Sequence, residues 1–159
     1  MSHIFWSNLF RQGEDDIKIM GRLWRDTPLF SDIPGRHIEH LATKMHLRQF
    51  KKEEVIFRQG DRGAGAILVF EGSVRIMANK TELSRLDRGD FFGEIALAEN
   101  DQRTADAYAL ENSRLVYFLK QDLEEWIETE PRLGARFLMN LASTLAQRLH
   151  QANQIIASS

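Results

Sequence analysis

Residues 90–109 read DFFGEIALAENDQRTADAYA, and the way this stretch is built decides how the rest of the chain is read. Phe91 and Phe92 lead into Gly93, and Glu94 opens an apolar run (Ile95, Ala96, Leu97) too short for an independent helix. Arg103 then begins an alternating segment through Ala107 and Ala109. A half-turn of helix leaves backbone N–H groups that can face an anion. A guanidinium is a planar, two-pronged donor for phosphate, and a carboxylate beside Gly93 can accept hydrogen bonds from a sugar diol. If the chain binds a small anion, it binds it here.

Upstream, the apolar period is two. Leu47, Gln49, Glu54 to Phe57, Ala66 to Phe70, Ser73 to Met77, Glu82 to Leu86 and, downstream, Leu115 to Leu119 read as short strands. Turn residues separate them: Gln59-Gly60-Asp61, Gly63-Ala64-Gly65, Glu71-Gly72, Asn79-Lys80 and Asp87-Arg88-Gly89. Many short strands between turns specify an antiparallel roll or barrel rather than a parallel sheet. No glycine loop of the dinucleotide or P-loop kind joins a strand to a helix, which disfavours those nucleotide folds.

Helical spacing brackets the strands. Ile4, Phe5, Trp6, Leu9 and Phe10, then Ile17, Ile19, Met20, Leu23 and Trp24, predict two short helices, the second led by Asp15 and Asp16. Pro34-Gly35 introduces a helix over about 36–45 with Ile38, Leu41 and Met45 on one face. His37, His40 and His46 lack a further ligand at a fitting spacing and read as a solvated face, not a metal site. Lys120-Gln121-Asp122 starts a short helix, and Pro131 sits in the first turn of a long amphipathic one running to Ile156. At some 25 residues this last helix extends about 37 Å, longer than a small roll, so it can pack on the body or serve as a subunit seam.

The fold expected is α+β dominated by β: an antiparallel double-stranded β-roll or jelly roll over about 46–119, with N-terminal helices and two C-terminal helices over about 120–157. Residues 1–25 form a helical extension and 26–159 the domain. The chain has 159 residues, a net charge of -2 and no cysteine. A near-neutral charge gives no broad field for DNA or anionic lipid. The lack of cysteine excludes disulfides, thiolate metal sites and cysteine nucleophiles. No apolar run is long enough to span a membrane, and the N-terminus has no signal-peptide pattern, so a soluble, cytoplasmic protein is expected.

The order of parts, with Gly93-Glu94-Ile95-Ala96-Leu97 followed by Arg103-Thr104-Ala105, resembles the cyclic nucleotide-binding domain family. The resemblance covers nearly all of residues 26–157, including Pro28-Leu29-Phe30, Gln59-Gly60-Asp61, Gly72 and Gly89-Asp90. It implies that Glu94 accepts from the ribose 2′-hydroxyl and Arg103 pairs with the cyclic phosphate. Thr104 and the N–H groups near Ile95 and Ala96 would add to the phosphate contacts. The base would meet the terminal helix, where Arg148, Ala152 and Asn153 stand. Cyclic AMP and cyclic GMP both fit this pattern, and no other cofactor or metal is implied.

Two departures bear on affinity. Gln102 stands where many relatives have proline, which leaves the loop less pre-organised. Glu94, Glu99, Asp101 and Asp106 surround the single Arg103, so an anion would meet opposing charge wherever one of them turned inward; the alternation of Asp106 with Ala107 predicts that Asp106 faces outward. A salt bridge from Arg103 to Glu94 or Asp101 is the competing structural reading. Two functions follow: a sensory module for a cyclic nucleotide, acting through a protein partner or a homodimer along the C-terminal helix, or a degenerate roll used for protein contact without nucleotide. With no helix-turn-helix after Asn153, no DNA partner is expected. Paired carboxylates such as Asp90 and Glu94 lack an accompanying nucleophile or metal cluster, so no enzyme is expected.

Overall fold

The structure is a computed structural model that describes residues 13–99 and 102–159; the apolar stretch from Ile4 to Phe10, together with Asp101, lies outside the described residues. Helix α1 (Glu14–Arg25) carries Glu14, Asp15 and Asp16 in its first turn and Arg22 and Arg25 in its last, each charge matched to the helix dipole. A 3-10 turn (Pro28–Phe30) and helix α2 (Gly35–Ala42) follow. Helix α2 ends three residues before the expected bound, because the chain turns at Thr43 to enter the first strand.

Among the described residues eight strands follow: β1 (His46–Phe50), β2 (Val55–Phe57), β3 (Gly65–Glu71), β4 (Ser73–Ala78), β5 (Thr81–Asp87), β6 (Phe91–Phe92), β7 (Asp106–Ala109) and β8 (Ser113–Leu119). They form two four-stranded antiparallel sheets, ordered β1-β8-β3-β6 and β2-β7-β4-β5, which is a jelly-roll arrangement. Asn79 and Lys80, both at positive φ, make the two-residue turn that joins β4 to β5.

Strand β3 shows why there are two cores. Ala66, Leu68 and Phe70 point to a layer of helices, while Ile67 and Val69 point into the roll. The helix-side core packs Trp24 of α1, Phe30, Phe118 of β8 and Phe137, with ring centroids 5.0 Å apart for Phe30–Phe137 and 5.6 Å for Phe118–Phe137. Met20 and Trp24 are fully buried there, so the described part of the 1–25 extension is continuous with the domain.

Helix α3 (Ile95–Ala98) is a single turn within the 90–109 stretch. Helix α4 (Lys120–Thr129) and helix α5 (Pro131–Ser158) are separated only by Glu130. The first half of α5 is anchored by Phe137, Leu141 and Thr144, and Asn140 donates to the carbonyls of Leu29 (3.0 Å) and Ser31 (2.8 Å). From Ala146 onward every residue of α5 is exposed. Among the described residues no helix is long and apolar enough to cross a membrane.

Candidate functional site

One cavity of about 370 Å³ opens between the 90–109 stretch, the second sheet and α5. Phe57 of β2, Ile76 of β4, and Ser84 and Leu86 of β5 form its sheet wall. Phe91 to Ile95 and Arg103 to Ala105 form a second wall, and Arg148 reaches in from α5. The size suits a small molecule, and the apolar walls with few polar groups are those of a ligand pocket.

Arg103 is fixed by backbone and ring. Its Nη1 donates to the Gly93 carbonyl (3.1 Å) and its Nη2 to the Gly65 carbonyl (3.0 Å), while the guanidinium carbon sits 4.6 Å from the Phe57 ring centroid. Room for it depends on two glycines. Gly93 has φ of 71°, and a Cβ there would stand 2.3 Å from Arg103 Nη1; a Cβ on Gly63 would meet the Ala96 Cβ at 2.8 Å. The Arg103 N–H donates to the Asp61 carbonyl (2.7 Å) and the Gly60 N–H to the Arg103 carbonyl (2.8 Å), so the 59–61 turn holds the arginine's backbone. Burial lowers the proton affinity of the guanidinium, opposed by Tyr117, Glu94 and Asp61; starting so far above neutrality, it remains a cation. Among the described residues no carboxylate lies within 4.0 Å of it.

Glu94 is 3 % exposed, and its Oε1 accepts from Nη1 of Arg148. The Arg148 guanidinium also lies 4.8 Å from the Phe91 ring centroid, with Nη2 3.4 Å from the Phe91 carbonyl. The expected competitor, a bridge from Arg103 to Glu94, is therefore replaced by a bridge from α5. Two of the other acids near Arg103 are placed as well. Glu99 is exposed, and Asp106 faces away from the cavity, accepting from the Gln59 N–H (2.7 Å) and the Tyr108 hydroxyl (3.2 Å). Two guanidinium groups against one carboxylate line the cavity, which leaves it net positive.

Of the residues singled out in the sequence, Gly93, Glu94, Ile95, Arg103 and Thr104 line this one cavity. Ala96 lies buried behind it with its N–H given to the Gly93 carbonyl (3.2 Å), because the single turn of α3 closes on itself. Asn153 is exposed on α5, outside the cavity lining, since the helix has left the body by that point. Phe57, Ile76, Ser84 and Leu86 escaped the sequence reading as site residues. Their only signal is the period-two alternation that puts them on the inner face.

The family model for the cyclic nucleotide-binding domain matches residues 47–130. The cyclic AMP receptor protein of Thermus thermophilus is 29% identical over 134 residues, 81% of this chain and 60% of that protein. A cGMP-dependent protein kinase of Drosophila melanogaster is 34% identical over 93 residues, 54% of this chain and 12% of the kinase. A cyclic nucleotide-binding domain from Methylobacillus flagellatus superposes with a TM-score of 0.80 at 18% identity, covering 98% of this chain and 92% of that one, a likeness of fold. The chain belongs to the cyclic nucleotide-binding domain family. It spans less than two thirds of the length of these two curated relatives.

Proposed function

We propose that the cavity binds a purine cyclic mononucleotide, cyclic AMP or cyclic GMP, and that the protein is a sensor of it. The observation that carries this reading is Arg103, a half-buried cation held by carbonyls and a ring and aimed into a cavity that supplies no carboxylate to it among the described residues. A cyclic phosphate has two anionic oxygens for that guanidinium. Glu94 keeps one oxygen on Arg148 and offers the other to the sugar hydroxyl, with Thr104 at the rim. Because Arg148 belongs to α5, a ligand that draws on Glu94 changes the docking of the exposed half of that helix. The reading assigns binding, not catalysis, and the cysteine-free composition supports a cytosolic setting.

Self-association through α5 forms part of this reading. Leu138, Ala142, Leu145, Leu149, Ala152 and Ile156 alternate at spacings of four and three along the helix, the pattern of a coiled-coil seam. Leu149 and Ile156 are 61% and 70% exposed.

Calorimetric titration with each nucleotide tests the assignment. Heat is expected with one or both, and Arg103→Ala should abolish it; silence with both at millimolar ligand would sink it. The second reading, a roll kept for protein contact, has the Arg148–Glu94 bridge in its favour, since it already occupies the carboxylate, and such silence would leave that reading standing.

A further inference from the structure

Phe57 reaches Arg103 through a break in the strand pairing. Val55 of β2 stands opposite Tyr108 of β7, but Phe57 stands opposite Ala107, so β2 carries one residue more than its partner between the two pairs. Directly opposed residues share a face of the sheet, and Ala107 is fully buried in the roll core. The extra residue makes a bulge, a device that bends a strand and re-aims a side chain and that is frequent beside active sites. Here the Phe57 ring faces the cavity, and the Arg103 guanidinium carbon lies over it, 4.6 Å from the centroid. Phe92 of β6 braces that ring in turn, with centroids 5.9 Å apart, and is itself 5% exposed. Bare backbone also closes on the cation: a Cβ on Gly63 would stand 3.0 Å from the guanidinium carbon and 3.1 Å from Nε. Nη1 and Nη2 each give one N–H to a carbonyl, of Gly93 and Gly65, and each keeps a second that these bonds do not use.

We propose that Phe57 is a positioning residue of the anion site: its ring fixes the Arg103 guanidinium before a ligand arrives, and its contribution goes to the phosphate rather than to the sugar or base. The inference rests on the assignment of the cavity to a phosphate-bearing ligand. An arginine side chain has many rotamers, and fixing them at the moment of binding subtracts from affinity. A ring face attracts the cation without consuming any of its N–H groups. Arg103 is thereby held in place with donors still to give. A carboxylate in the same place would hold it too, but would take up those donors.

The test compares wild type, Phe57→Leu, Phe57→Met and Phe57→Tyr by calorimetry with the bound cyclic nucleotide. Thermal melts of the same proteins, with and without millimolar inorganic phosphate at constant ionic strength, isolate the phosphate, which has no sugar or base to touch the ring. Leucine and methionine fill space without a ring face, and either suffices if the other fails to fold; tyrosine keeps the face. The ringless variants should bind the nucleotide roughly tenfold more weakly, the scale of a partly desolvated cation–π contact, and should lose protection by phosphate. Phe57→Tyr should keep both. Four results overturn the proposal: ringless affinity within about twofold of wild type, well short of that contact; nucleotide affinity lost with phosphate protection unchanged, which would put the ring against sugar or base; a loss that tyrosine does not rescue; or a loss that merely tracks a fall in ligand-free stability. If wild type binds neither nucleotide, the functional reading fails and phosphate decides. Protection lost in the ringless variants and kept in Phe57→Tyr then supports the role of Phe57, while equal or absent protection overturns it.

Discussion

Arg103 and Glu94 belong to one short stretch of sequence and line one cavity, but the structure treats them differently. Arg103 is locked by two carbonyls and an aromatic face, whereas Glu94 answers to a residue on another element, Arg148. Gly93 links them. Its left-handed backbone and missing Cβ let the arginine lie against it, so Gly93→Ala should cost about 1–2 kcal/mol in backbone strain alone. The variant should also displace Arg103, so nucleotide affinity measured by calorimetry should fall further than a denaturant melt of the same protein explains. Wild-type affinity in Gly93→Ala would show that the close approach is not needed. At this scale the spacing from Gly93 to Arg103 was legible because the residues lie in one stretch. Phe57 and the Glu94–Arg148 bridge were not, because each needs a second element to be placed first.

Among the elements, the strands announce themselves through period-two alternation, and α1 through its apolar spacing and acidic start. The two-residue β6 did not, since Phe91 and Phe92 are too few to show a period and become a strand only by pairing with Ile67 and Leu68 of β3. Helix α5 was legible as a helix but not as two functional halves. Its first half is fixed by Phe137, Asn140 and Leu141, and its second half offers an apolar seam to solvent. If that seam joins two copies, sedimentation should show a dimer, and the double substitution Leu149→Glu with Ile156→Glu should return a monomer by setting like charges across the seam. A wild-type monomer at high concentration would remove the seam from the account.

For the whole molecule, ligand binding and folding are one equilibrium. A ligand at about a hundredfold excess over its Kd adds about 2.7 kcal/mol to stability, which for a chain of this size raises Tm by about 5–10 °C. The nucleotide that binds should produce that shift in a thermal melt, and Arg103→Ala should not. The chain's own pattern determined the roll, its bracketing helices and the Gly93–Arg103 cassette, because alternation, turn residues and local spacing are written within single segments. Only the tertiary structure decided that Arg148 holds Glu94 and that the Phe57 ring lies against the Arg103 guanidinium. Those facts join residues far apart in the chain, 54 positions in the case of Glu94 and Arg148. The energy that joins them, burial of charge and its compensation by a partner, exists only once the sheets and helices have closed around it.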